Sequence, residues 1–388
     1  MVSNKLFFIT GLITMTLIAG AGDSTLARTL FLLDSKHFSG FQLNGCKLDG
    51  HTVNLDFDTA KKSTATSGPI KGVDLYHGEM VSDVLVAPEP FDQVIVSWNA
   101  IAPKNTLLAV EARAATGEGW SRWYHLGWWD ATNSVITRTS VKNQKDKDGN
   151  VDTDTLLLSN PSTKLQIKLS LYSTEVGTSP SVRLIASSLA HSSEVLKPSW
   201  SERELGKLSL EVPEISQLDY PPRGNVWCSP TSVTMVMNYW ASQKGKDTWK
   251  VDVRSAAGAI HDEAWGGTGN WTFNTAFAGS HPGLVAYCTR LKGYSEAEKW
   301  LAAGVPVVLS ISANILHGRG ESGGGHLVVL VGFDEKGNPI VNDPYAKTEE
   351  GQRVQRVYDP DRLLRAWQNK SSLGASYLIY PEGHPIPD

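Results

Sequence analysis

The stretch NVWCSPTSVTMVMNYW, residues 225–240, decides how this chain is read. Val233, Val236, Met237 and Trp240 recur at i, i+3, i+4 and i+7, the spacing of one apolar helix face. Pro230 suits the first turn of such a helix, where a missing N–H costs nothing. Cys228 therefore stands at a helix N-terminus. Unpaired backbone N–H groups and the helix dipole favour an anion there, so a thiol at this place ionises more readily. The alternative from this stretch alone is a buried cysteine packed as a small hydrophobe.

A thiol nucleophile needs a base and a group that orients the base. GGGHLVVLVGF, residues 323–333, puts His326 at the start of an apolar strand. Asp343 follows in IVNDP, at the end of the next strand. A hairpin turning near Asp334 and Glu335 sets these two ends side by side, and Asp343 then fixes the imidazole tautomer. A turn centred on Gly337 instead leaves Asp343 a few residues short. Upstream, the side-chain amide of Gln217 in ISQLDYPP is a candidate to join the Cys228 N–H in holding an oxyanion. Cys at a helix start, then about a hundred residues, then His and Asp flanking a hairpin, is the chain order of papain-like enzymes. Trp227, Asn270 and Trp271 are candidates for the substrate-binding walls.

The rest of residues 212–388 reads as mixed α and β. SEAEKWLAAG is a helix with Ser295 and Glu298 as a capping box and Gly304 closing it. VPVVLSIS is a buried strand, DPDRLLRAW a short helix and ASYLIY a final strand. One helix followed by a strand-rich half predicts an α+β arrangement.

Residues 30–189 read as all-β. KLQIKLSLY alternates Leu165, Ile167, Leu169 and Leu171 on one face, and HTVNLDF, QVIVSWN and LLAVEARA add strands. GPIKG, APEP, APKN, KDKDGN and SNPST punctuate them, so the expectation is a sandwich of short strands. Residues 190–211 are polar and lack a clean period, which suits a linker.

The C-terminal half resembles the papain-like cysteine peptidases of family 39, the bacteriocin-processing type, and especially their exported bacterial family-39-like relatives. SQLDYP (216–221), WCSPTS (227–232), GHLVVLVGF (325–333) and NDP (342–344) carry the resemblance, with support from GTGNWTFNTAFA and AGVPVVLSIS. It implies a papain-like fold with Cys228 as nucleophile, His326 as base, Asp343 as orienter and Gln217 in the oxyanion hole. It implies peptide-bond hydrolysis through a thioester, with no cofactor and no metal. The β-rich half is similar to the accessory domain found ahead of such relatives. Exporter-linked members are fused to a transporter; this sequence shows no transporter or ATP-binding motif. Two other functions stay open: amide hydrolysis or acyl transfer on a cell-wall peptide, and a silent binding module.

Composition narrows the partners. A net charge of -4 and the absence of a basic run argue against nucleic acid. LFFITGLITMTLIAGA, residues 6–21 behind Lys5, reads as the end of a signal peptide over residues 1–21. A secreted or periplasmic protein with no membrane contact after cleavage is expected. Three cysteines make no disulfide framework, although Cys46 with Cys288 is one bridge to consider. KDKDGNVDTDT gathers five acidic or amide side chains from Asp146 to Asp154 but misses the helix–loop–helix calcium spacing, so a solvated turn is expected. GEGWSRWYHLGWWD packs Trp120, Trp123, Trp128 and Trp129 together. Exposed, they would suit a glycan or cell-wall ligand; buried, they are core.

Overall fold

The computed structural model describes residues 28–117, 119–193 and 208–387. The expected export signal and most of the linker lie outside the described residues.

The first half is a 13-stranded antiparallel sheet whose main path runs from Tyr124–Trp129 through Thr106–Thr116, Thr155–Ser173 and Leu85–Ile101 to Ser181–Ala190. The alternation read in the sequence is the burial pattern: Leu165, Ile167, Leu169 and Leu171 are fully buried. The strands are longer than the turn residues suggested. Leu85–Ile101 runs through Pro88 and Pro90, and Thr155–Ser173 runs through Pro161. The ladder between them absorbs the prolines by shifting register around Ser162, which faces Phe91. A proline within a sheet is tolerated at such an irregularity because no ladder N–H is then required.

The second half is mixed. Its sheet runs Leu284–Arg290, Ala375–Pro381, Val307–Ser312, Gly325–Phe333, Pro339–Asn342, Gln355–Val357, all antiparallel. Leu208–Ser209, at the end of the expected linker, adds to this sheet beside Phe333 and Gly332. The helix Cys228–Lys244 crosses it. Ser232 Oγ donates to Leu327 O at 3.2 Å and Trp240 Nε1 to Ile379 O at 2.7 Å. The four apolar residues of the expected face are buried, but so are Ser229, Thr231, Ser232 and Thr234. From Ser229 to Met237 this helix is therefore enclosed on all sides, while its last turn, Ser242 to Lys244, is exposed.

Helices Val253–Ile260 and Trp271–Gly279 were not expected. WTFNTAFAG combines aromatic and β-branched residues of modest helix propensity, and all of it after Trp271 is buried, so no amphipathic period marks it. The helix at 294–302 starts at Tyr294 with Gly293 as its N-cap, so Ser295 is already inside it and does not cap it. Gly304 closes it as expected, at φ 80. All three cysteines are free thiols, so Cys46 and Cys288 are not bridged.

The two sheets share one apolar core. Phe273 packs edge-on against Trp98, with ring centroids 6.2 Å apart, and against Trp129 at 5.4 Å. Gly127 lies under the Phe273 ring; a Cβ there would stand 2.7 Å from it. Asn99 mimics a strand partner for Ala286, donating to its O at 2.6 Å and accepting its N–H at 3.0 Å. Ser97 Oγ accepts the Cys288 N–H at 2.9 Å, and Arg138 donates to Gly258 O at 2.8 Å. This contact sets the β half against the face that carries Cys228.

Candidate active site

Cys228 is the first residue of its helix. The N–H groups of a first turn have no intrahelical partners and point at whatever lies before the helix. Its side chain is half-buried. Burial opposes ionisation, but the hydrogen bond and charge of His326 outweigh it, with help from the N–H groups of Leu327 and Ser229. The thiol is held below its usual range. Burial, with nearby carboxylates adding to it, pushes Cys46 up to about 12 and Cys288 up as well. Of the three thiols, only Cys228 is shifted towards the anion.

His326 is the second residue of Gly325–Phe333, paired with Ile311 on the neighbouring strand, and is 8% exposed. Its Nε2 donates to Asp343 Oδ1 at 2.8 Å. That leaves Nδ1 to serve the thiol. Burial favours the neutral ring; hydrogen bonds and charges from Asp343 and Cys228 win, and the pKa is raised to about 10. Asp343 is held well below the usual carboxylate range despite its burial, by the His326 contact, Tyr358 and the Tyr345 N–H. Tyr358 Oη donates to Asp343 Oδ2 at 2.5 Å, and Tyr345 N–H to Oδ1 at 2.8 Å. Tyr358 carries no motif and escaped the sequence reading.

The hairpin does turn late: Gly337 N–H donates to Asp334 O, and Asn342 pairs with Val329. Extending that ladder by one puts Asp343 opposite Val328, two residues short of His326. Both side chains stand on one face, and a diagonal neighbour two residues away is within reach of an imidazole.

Gln217 is 1% exposed and opens a short 3-10 turn. Its Nε2 donates to Gly224 O at 2.7 Å, while its own N–H is fixed on Pro344 O at 2.9 Å. Gly224 is required by close approach, since a Cβ would lie 1.9 Å from Gln217 O. Gln217 lines the cavity, and its buried Oε1 has no hydrogen-bond partner among the described residues.

Cys228, His326, Asp343 and Gln217 share a cavity of about 1060 Å³, which Trp271 also lines. Trp227 is the N-cap of the Cys228 helix, half-buried and outside the cavity wall. Asn270 is fully buried and does not line the cavity. It caps Trp271–Gly279 by accepting the Phe273 N–H at 3.0 Å, and its Nδ2 donates to Asp262 at 2.9 Å. An Asn just ahead of a helix is the ordinary capping signature, so its place is structural.

Sequence reading also missed the β half's share of this wall, which includes Gln93, Asp152, Asp154 and Leu157. No group of three metal-ligating side chains that could hold a metal occurs among the described residues.

A thiol of lowered pKa beside a carboxylate-held imidazole is what a cysteine peptidase-like protein would need, and two family descriptions match the chain. Residues 209–374 match the family described as "Peptidase_C39 like family", and residues 30–190 match the "Peptidase C39 N-terminal domain". The two matched segments follow one another in the chain, the N-terminal domain ahead of the peptidase-like one. Among solved structures, a Bacillus anthracis chain described as a C39-like peptidase is 21% identical, covers 45% of this chain and 98% of its own, with a TM-score of 0.33. TmCBM61 in complex with beta-1,4-galactotriose is 8% identical, covering 41% and 86%, with a TM-score of 0.19. No curated protein matches.

Proposed function

We propose that this chain is a papain-like cysteine hydrolase that cleaves peptide bonds outside the cytoplasm. The observation that carries the reading is the lowered Cys228 thiol beside an imidazole whose other nitrogen is 2.8 Å from Asp343. The Cys228 thiolate attacks the scissile carbonyl carbon, forming a C–S bond. The developing oxyanion is met by the Cys228 N–H and the Gln217 amide. Protonated His326 gives its proton to the amine as the C–N bond breaks, leaving a thioester. Water then yields a proton to His326 and attacks the same carbon. The C–S bond breaks, the acid departs, and thiolate and imidazolium are restored. Asp343 keeps the imidazolium oriented throughout.

The substrate is a peptide or protein. Export is supported by the apolar run at residues 6–21. No helix among the described residues is long and apolar enough to cross a membrane. A glycan ligand for the β half has narrow support: Trp128 and Trp129 are buried, leaving Trp120, 36% exposed, and half-buried Trp123, with Arg113 lying over both rings.

A proteome-derived peptide mixture incubated with the purified chain and with Cys228→Ala tests the reading by mass spectrometry. New peptide termini with the native chain alone are expected. Their absence, with Cys228 shown free and folded, would contradict it.

A further inference from the structure

The acidic run that reads as a solvated turn has its tip in the wall of the catalytic cavity. Strand Gly149–Asp152 pairs with the start of Thr155–Ser173, and Asp152 faces Thr155, so Thr153 and Asp154 form the turn. Thr153 sits at φ 57, a left-handed conformation rarely adopted by a β-branched residue. Asp154 clamps the turn to the other half of the molecule. It is 5% exposed, and its carboxylate accepts the Trp271 N–H at the start of a helix and the Thr155 hydroxyl at 3.1 Å. A strained turn held this firmly against a cavity invites a functional explanation.

Three carboxylates line the cavity: Asp152, Asp154 and Asp343. Asp343 is committed to His326 and Tyr358, and Asp154 to Trp271. Asp152 is exposed, and among the described residues its side chain accepts one hydrogen bond, from the Thr153 hydroxyl at 3.4 Å. The half that bears Cys228 supplies Arg319, Lys347, Arg356 and Lys370 to the wall, Lys347 paired with Glu350 and Arg356 3.9 Å from Asp343, so cations gather on that side and Asp152 faces them from the β half.

We propose that Asp152 is a specificity residue through which the β half selects a cationic group on the substrate. This deepens the hydrolase reading and rests on it. The cation is an ammonium or guanidinium, from a basic side chain or from a peptide N-terminus. The clamp holds the carboxylate in place before the substrate arrives, so little ordering is needed on binding. Its exposure lets a cation gain a partner without first separating a buried ion pair.

Binding to the intact Cys228→Ala chain tests this without requiring hydrolysis. Three amidated pentapeptides serve as calorimetric probes: acetylated with a central arginine, acetylated with a central glutamate, and unacetylated all-alanine. The arginine or the free-amine peptide should bind about 5- to 20-fold tighter than the glutamate one, as for a partly screened charge pair. Which of the two does so identifies the source of the cation. Asp152→Asn should abolish the preference and Asp152→Lys reverse it. Equal binding of all three peptides, no binding of any, or a preference that survives in Asp152→Asn would overturn the proposal. A charge preference in Cys228→Ala alongside no cleavage by the native chain would sink the hydrolase reading and leave Asp152 as a binding residue.

Discussion

The carboxylate of Asp343 has both oxygens occupied, by His326 and the Tyr345 N–H on one and Tyr358 on the other. That satisfaction keeps it ionised in a buried place and holds the His326 pKa up at about 10. Asp343→Asn removes the charge but nearly keeps the shape. His326 should then titrate lower, towards its ordinary 6.5. The sign follows: the thiolate–imidazolium pair exists above the thiol pKa and below the imidazole pKa, so its window should shrink from the alkaline side. The pH profile of hydrolysis measures this, and an unmoved alkaline limb would contradict it. Tyr358→Phe removes one hydrogen bond to a charged group and should lower the rate about tenfold, in the same pH direction. That Cys228, His326, Asp343 and Gln217 meet at one cavity was legible, because each residue type has a chemical reason to stand at its place. Tyr358 was not: its partner is 15 residues away across a turn, and nothing local in VYDP signals it.

Among the elements, alternation made strands legible, and one almost wholly buried helix gave no signal. Leu165 to Leu171 announced their strand; Trp271–Gly279 did not announce a helix, because it has no polar face. Sequence also mistook the prolines of the two longest strands for turns, since a bulged ladder looks like a break. Asn270 was taken for a cleft residue, whereas it caps the helix and holds Asp262, which in turn accepts the Ser140 N–H from the β half at 2.9 Å. Asn270→Ala should cost about 2–4 kcal/mol, a lost cap plus a buried partner left unsatisfied. Thermal melts should show the loss, with the cleavage-site preference of the remaining folded enzyme unchanged. A changed preference with unchanged stability would return Asn270 to the substrate.

At the scale of the molecule, the sequence divides into two halves that the structure joins through one core. Phe273, from the peptidase-like half, fills the space beside Trp98 and Trp129 of the β half. Phe273→Ala should destabilise the whole chain by about 3–5 kcal/mol. Calorimetry of the native chain should give one cooperative transition that shifts as a unit; two transitions, one unmoved by the substitution, would mean the halves are independent. Neither the shared core nor the Asp152 wall was readable from the sequence, because each arises from residues far apart in the chain that meet only once both sheets exist. The proposed hydrolysis depends on Cys228 being an anion when its surroundings are assembled. The most direct test is the rate at which a limiting alkylating reagent modifies Cys228 in the intact chain, followed by mass spectrometry from acid to alkaline pH, beside His326→Ala. Selective modification of Cys228 below pH ~7, lost in the His326 variant, is the predicted result. Modification that rises only near pH ~8.5, as for an ordinary thiol, or that ignores His326, would contradict it.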